Sequence, residues 1–455
     1  MKNKLATSDI NVMKNDLTTG SIRNNLIRFA LPYMLAAFMQ TFYGMADLII
    51  VGMFNGASTT TAVSIGSQIM HMLTVVILGF AMGTTVHVGR CVGAKDEKGA
   101  GKVIANSIFF FVGFAVVMTV MLLLFTAGIV KVMSTPIEAV AETKQYLFIC
   151  FIGLPFIVAY NVISSIFRGA GDSKRPMIFV GIACFTNILL DYLFIGYMGL
   201  GAIGAALGTV LGQAVSVVVS LAFVKRIDFG FRISIKGHKP EKDYIGKVLS
   251  VGTPIALQDG FIQVAFIVIT IIANSRGLIA AASVGIVEKI ICFLFLVPSA
   301  FLSAISAITA QNLGANKPDR ARKSLYYGLA ITVGWGVIAS IYCQFLPHTL
   351  VGLCTRDAAV LQAGCQYLRA YCFDTLFAAI HFCFSGYFCG CEKSRISFLH
   401  NLISVLLVRI PGTYFFSKWW PETLYPMGWA APLGSLLSAL ICIGFFIYYE
   451  KKENS

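Results

Sequence analysis

Charge is what this sequence has least of. Only 12% of its 455 residues are Asp, Glu, Lys or Arg, about half the share of an ordinary soluble protein. With 57% hydrophobic residues, the chain has more apolar side chain than a water-soluble interior can hold. There is no Gly-x-x-x-x-Gly-Lys-Ser/Thr loop to cradle phosphates, so ATP use by that device is excluded. No Ser or Cys nucleophile motif occurs, and no two of His71, His87, His381 and His400 have metal-ligand spacing. These histidines read as helix-packing or interfacial residues, and no enzymatic activity is expected. The first 25 residues have no apolar stretch behind a basic start, so no cleavable signal peptide is expected and helix one directs insertion. Twelve cysteines are present, yet most lie within apolar runs (Cys150, Cys184, Cys292, Cys372, Cys383, Cys442), where Cys behaves as a small hydrophobe. Cys389 and Cys391 flank one glycine in a short basic loop and read as chance.

What is present is a series of apolar runs of about 20 residues, the length a helix needs to cross about 30 Å of hydrocarbon. Twelve helices are expected near 27–53, 61–88, 103–129, 144–167, 177–197, 201–224, 248–273, 280–307, 325–347, 364–388, 396–416 and 428–449. The fold class is an all-α polytopic membrane protein. A net charge of +14 invites a nucleic-acid reading, but the Lys and Arg residues concentrate in the amino terminus, the even-numbered connections and the carboxyl tail. By the positive-inside rule both termini are then cytoplasmic, in a bacterial inner membrane, and the bases meet anionic lipid rather than a polynucleotide.

One long polar connection, Lys225 to Lys247 with Lys236-Gly-His-Lys-Pro240, lies at the middle of the chain. It divides the sequence into a cytoplasmic segment 1–25, a first lobe 26–224, the basic linker 225–247, a second lobe 248–449 and a tail 450–455. Matching punctuation supports a duplication. Val92-Gly-Ala-Lys-Asp-Glu-Lys-Gly-Ala-Gly-Lys102 answers to Leu313-Gly-Ala-Asn-Lys-Pro-Asp-Arg-Ala-Arg-Lys323, and Gly169-Ala-Gly-Asp-Ser-Lys174 more weakly to Gly390-Cys-Glu-Lys-Ser-Arg395, both 221 residues apart. Leu31-Pro32 and Thr253-Pro254 open the two halves. Six helices per half give both repeats one topology, related by an axis along the membrane normal, with a cleft that opens to either side by rocking. A transporter, acting as a monomer, is the expectation.

An ionisable side chain within a spanning helix costs about 2.5–3.5 kcal/mol on insertion scales, so each one needs a partner, a wet cavity or a task. In the first half only Asp47 and Asp191 lie well inside helices, each about six residues, or roughly 9 Å, from the outer end. Asn187 precedes Asp191 by four residues and shares its face, and Thr209 enters at similar depth. Together these oxygens have the composition of a small cation site. Two neighbouring carboxylates in a low dielectric do not both stay ionised cheaply, so such a pair takes up a proton or a cation. The residues leave H+ and Na+ both open, and no other cofactor is implied. Pro32 removes a backbone donor from helix one and can kink it.

The second half carries Asp259, Glu288, Lys289, Asp374 and Arg409 in helices, but position 191 plus 221 is Gly412. Asp259, Glu288, Asp374 and Arg409 are candidates for a neutralised polar network or for a site binding cationic substrate. Aromatics and Met recur on the helices; Phe42, Tyr43 and Gln258 are candidates for a substrate cleft, where rings would hold flat cations.

Leu31-Pro32 with Asp47-Leu-Ile-Ile-Val-Gly52, Val92-Gly-Ala-Lys95 with Leu313-Gly-Ala-Asn316, and Arg168-Gly-Ala-Gly-Asp-Ser-Lys-Arg-Pro176 resemble the multidrug and toxic compound extrusion (MATE) family over nearly the whole chain. The resemblance implies a twelve-helix exporter with two pseudo-symmetric lobes that exchanges amphiphilic organic cations or drugs for Na+ or H+. In one branch the first lobe holds the cation, and Asp47, Asn187, Asp191 and Thr209 match its residues, with Pro32 at its bending proline. Another branch uses a Glu on helix seven and an Asp on helix ten; here helix seven offers Asp259, and Asp374 lies only roughly at the second position. A lipid-linked oligosaccharide flippase of the same superfamily is the alternative, with a transporter of another small metabolite behind it. The excess of intramembrane acids over bases favours a cationic cargo over a pyrophosphate.

Overall fold

The computed structural model describes residues 16–226 and 239–453, so most of the amino-terminal segment 1–25, Lys236 to His238 within the linker, and the end of the tail lie outside the described residues. Among the described residues every regular element is helical. Eleven helices are long and apolar enough to cross a bilayer, and a pair bent by 46° supplies a twelfth span. The first half holds α1 (Ile22–Phe54), α2 (Ala57–Gly93), α3 (Glu97–Val132), α4 (Ile137–Ile152 with Leu154–Gly169), α5 (Lys174–Tyr197) and α6 (Gly201–Lys225). The second holds α7 (Lys242–Asn274), α8 (Leu278–Gly314), α9 (Pro318–Phe345), α10 (Ala358–Gly390), α11 (Ser394–Trp419) and α12 (Tyr425–Lys452). All twelve expected spans are present. Large apolar residues lie bare on their outer faces; Val116, Val120 and Leu124 of α3 are 57%, 52% and 75% exposed, a stripe suited to lipid.

Two compact units result. One is built on Leu35–Gly252, the other on Thr18–Met34 and the chain from Thr253 onward. Thus α1 and α7 each begin in one unit and continue in the other, and both handovers fall within a turn of a proline interior to the helix, Pro32 and Pro254. The leading segments are held by the loops that repeat in the sequence. In the second unit, Lys317 donates to the Thr18 carbonyl at 3.0 Å and Arg320 to those of Thr19 and Gly20, each at 3.1 Å. In the first unit, Lys102 pairs with Glu241 at 3.3 Å, and the Glu241 amide donates to Asn106 Oδ1 at 2.6 Å. There α2 and α7 touch backbone to backbone: a Cβ on Gly83 would lie 2.0 Å from the Val248 carbonyl oxygen.

The duplication extends to backbone conformation. Lys95 and Asn316 both take left-handed conformations, with φ of 56° and 55°, and so do Gly171 and Glu392, at 88° and 61°. Each ends a helix with the same closing bonds, Asp96 N–H to Cys91 and Lys317 N–H to Asn312 in one pair, Asp172 N–H to Phe167 and Lys393 N–H to Phe388 in the other. A left-handed residue there satisfies carbonyls that the helix end would leave without partners. After Gly171, the Asp172 carboxylate accepts from the amides of Lys174 and Arg175 at 2.9 and 3.2 Å and from the Arg175 guanidinium at 2.6 Å, which starts α5. Replacing Gly171 by Ala forces a Cβ into this conformation. A loss of about 1 kcal/mol is expected, read as a lower unfolding midpoint in detergent.

The helices are irregular in the same spans of the two halves, although the two π segments lie eight residues out of the 221-residue register. The fourth span of each half breaks, at Gly153 and at Cys372, and the fifth carries a π-helical stretch, Tyr192–Tyr197 in α5 and Val405–Arg409 in α11. Such π segments displace side chains from the regular helical stripe and recur at functional sites. Asp191 stands directly before the first and Arg409 ends the second, so each lobe presents a buried charge where its fifth helix is distorted.

A candidate cation site in the amino-terminal half

Asp47 of α1, Asn187 and Asp191 of α5 and Thr209 of α6 converge inside the first unit. Asp47 and Asn187 are each 2% exposed and Asp191 is fully buried. Thr209 Oγ1 donates to Asp47 Oδ2 at 3.2 Å, and the carboxyl of Asp191 is an immediate neighbour of Asp47. Beyond that single bond the site is unsatisfied: Asp47 Oδ1, both carboxylate oxygens of Asp191 and both amide atoms of Asn187 are buried without a hydrogen-bond partner. Leaving an ionised carboxylate buried and unpaired costs several kcal/mol. Such an arrangement is suited to a proton shared between the two acids or to a small cation among their oxygens.

The room for this comes from α6. A Cβ on Gly208 would sit 2.1 Å from Asp191 Oδ1, and one on Gly212 would sit 3.2 Å from the Asn187 Cβ. Neither glycine was singled out by sequence reading. The signal was present, since Gly204, Gly208 and Gly212 recur every four residues, the small-residue spacing of closely approaching membrane helices. Gly208→Ala should push the Asp191 carboxyl aside, because that atom is the movable end of a side chain. The expected result is loss of ion-driven transport with a change in thermal midpoint of only a few degrees, checked by efflux and unfolding on the same preparation.

A cavity of about 100 Å³ opens beside Asp47, lined among others by Gln40, Tyr43, Tyr146, Tyr160, Thr209 and Gln213. Gln40, Tyr43, Gly44 and Asp47 stand one helical turn apart on one face of α1, and Thr209 and Gln213 do the same on α6. Of the cleft candidates, Tyr43 lines this cavity, with its hydroxyl 3.5 Å from Gln213 Nε2. Phe42 is half exposed and stacked on Phe38. Gln258 is buried in the other unit, beside Asp259. Pro32 lies ten residues into a continuous α1.

Of the candidates in the second half, Asp374 and Arg409 meet: Arg409 Nη2 donates to Asp374 Oδ2 at 2.8 Å and to Ser435 Oγ at 3.2 Å. Glu288, on α8, has its Oε1 buried without a hydrogen-bond partner. Asp259 stands elsewhere, next to Gln258 and near Cys389. The four therefore do not form one network. The two sites differ in kind: among the described residues, Asp47 and Asp191 lie together with no base paired to them, whereas Asp374 is paired with Arg409.

Comparison with known proteins accords with the twofold build. The MatE family model matches the chain twice, over residues 32–193 and again over 254–415. The chain belongs to the MatE family. Among its relatives is a probable multidrug resistance protein, YpnP, of Bacillus subtilis, 25% identical over 407 residues that cover 89% of this chain and 90% of that one. The multidrug export protein MepA of Staphylococcus aureus is 24% identical over 362 residues, covering 79% and 80%. A solved structure described as the outward-facing conformation of a multidrug resistance MATE family transporter of the MOP superfamily superimposes with a TM-score of 0.91 at 22% identity, over 98% of this chain and all of that one. The fold is that of the MATE transporters.

Proposed function

We propose that this MatE protein is a secondary active exporter that exchanges amphiphilic organic cations for H+ or Na+ by alternating access. One observation carries the reading: two buried carboxylates, Asp47 and Asp191, are neighbours with a single hydrogen bond to their surroundings, and no basic side chain pairs with them among the described residues. A proton or cation that satisfies this site when it faces outward changes the charge of the first half by one unit, and a cationic cargo drawn to the same acids competes with it. Tyr43, Tyr146 and Tyr160 in the adjoining cavity offer aromatic faces and hydroxyls to such a cargo. The names of the relatives, multidrug export and resistance proteins, agree. Direction and energy source follow from the ion gradient, with no resident cofactor, in a multi-pass inner-membrane protein whose termini are cytoplasmic and which works as a monomer.

The decisive experiment reconstitutes the protein in vesicles loaded with a fluorescent organic cation and imposes Na+ and pH gradients separately. One of the two should drive movement of the dye against its own gradient, and collapse of that gradient should stop it. Dye movement indifferent to both ions would overturn the exchange. A lipid-linked oligosaccharide flippase would instead leave the dye untouched in either gradient.

A further inference from the structure

We propose that Arg409 is a tethered cation filling a second, latent cation site at Asp374, so that the exchangeable ion is confined to the amino-terminal half. The inference deepens the exchange reading and rests on it for its consequence in transport, though not for the existence of the latent site.

The two lobes repeat in loops and turns, and each carries a π segment in its fifth helix with a buried charge beside it, although the two segments are about two turns out of register. In the first, α5 brings Asp191 against Asp47. In the second, α11 brings Arg409 against Asp374, which is fully buried near the break of α10. One carboxylate of the second lobe thus has what the acid pair of the first lacks, a positive charge at 2.8 Å.

The pocket around this charge is built rather than incidental. Gly434 on α12 makes way for the arginine, since a Cβ there would stand 3.1 Å from Arg409 Cγ. Ser435 accepts from the same Nη2 atom that binds Asp374. Asp374 Oδ1 and, one turn earlier, Tyr371 Oη are also buried without a partner. An acid with the hydroxyls of Ser435 and Tyr371 offers oxygen donors suited to a small monovalent cation or to a proton with water. A guanidinium keeps its charge at any working pH and, being covalently attached, never leaves. The second lobe therefore holds its charge constant through the cycle, whereas the first must exchange its own.

Removing the tether exposes the site. In purified Asp47→Asn/Asp191→Asn/Arg409→Met protein, which lacks the first-half acids, Na+ replacing choline, or a lowered pH, should raise the unfolding midpoint by several degrees, and adding Asp374→Asn should remove that response. Na+ and acid are separate arms, so the occupant is identified as cation or proton. With Arg409 in place, Asp47→Asn/Asp191→Asn should abolish every ion-dependent shift. An Asp47→Asn/Asp191→Asn/Arg409→Met protein indifferent to both ions, or an ion response in Asp47→Asn/Asp191→Asn that Asp374→Asn removes, would overturn the proposal. Should Arg409→Met fail to fold, the neutral double variant Arg409→Met/Asp374→Asn decides it. Retained ion-driven efflux supports confinement to the first half, and lost coupling in a folded protein refutes it. The midpoint measurements need no transport, so they stand even where the exchange reading fails.

Discussion

Asp47→Asn and Asp191→Asn each bring ion-driven efflux down to the level of vesicles without protein. Asn keeps the shape of Asp and takes away its charge and its proton. With one of the two acids gone, the remaining carboxylate can be satisfied by Asn187, Thr209 and the new amide, so the site no longer has to take up an ion to be stable. The fold should not suffer. In the native protein Asp191 has two buried oxygens without partners, and replacing an uncompensated buried carboxylate by a neutral amide removes a desolvation cost rather than adding one. The unfolding midpoint of Asp191→Asn is expected to equal or exceed that of the native chain. Full transport by both variants would remove the site from the mechanism, and a large fall in midpoint would mean that the acids act as structural members.

The second large effect lies at the ion pair and is lopsided. Asp374→Ala leaves the Arg409 guanidinium buried with its bond to Ser435 Oγ but no carboxylate to meet its charge among the described residues, and breaking such a pair from one side costs about 3–5 kcal/mol. No change of pH relieves it, because the guanidinium keeps its proton. Arg409→Met leaves a carboxylate instead, which acid can neutralise. Chemical unfolding of the two variants across pH 5 to 8 should therefore show a flat, deep loss for the first and a loss that shrinks toward acid for the second. Equal and parallel losses would mean that Asp374 is held charged by other neighbours.

How far the sequence shows all this varies by feature. Loops were legible because a turn closed by a left-handed residue needs particular residues at particular places; Lys95 with Asn316 and Gly171 with Glu392 carry the 221-residue offset into φ itself. Asp47 and Asp191 were legible because a charge inside an apolar run is conspicuous. Helix starts were less so: α1 begins at Ile22 and α7 at Lys242, ahead of the apolar runs near 27 and 248, since the first turns lie among polar surroundings and carry polar side chains. The π segments left no trace in hydropathy. The Asp374–Arg409 pair joins residues of different helices, and depth along a helix does not reveal azimuth, which is why Asp259 was grouped with it although it lies elsewhere. Gly208 carries neither charge nor bulk, and only the close approach of α6 to the Asp191 carboxyl gives it a role.

That glycine has a consequence beyond the geometry of one site. The space beside the Asp191 carboxyl is bounded by an absent methyl group on α6, so on the proposed exchange a single added carbon should uncouple transport while every acid, amide and hydroxyl is still present in the sequence. A relative that had drifted to alanine at this position would still carry the whole set of polar signature residues and would still be gathered into the family, yet its gradient would do no work. In this lobe, competence is written in a residue without a side chain, and a search for sensitive or resistant variants that tracks only charged positions would pass over it.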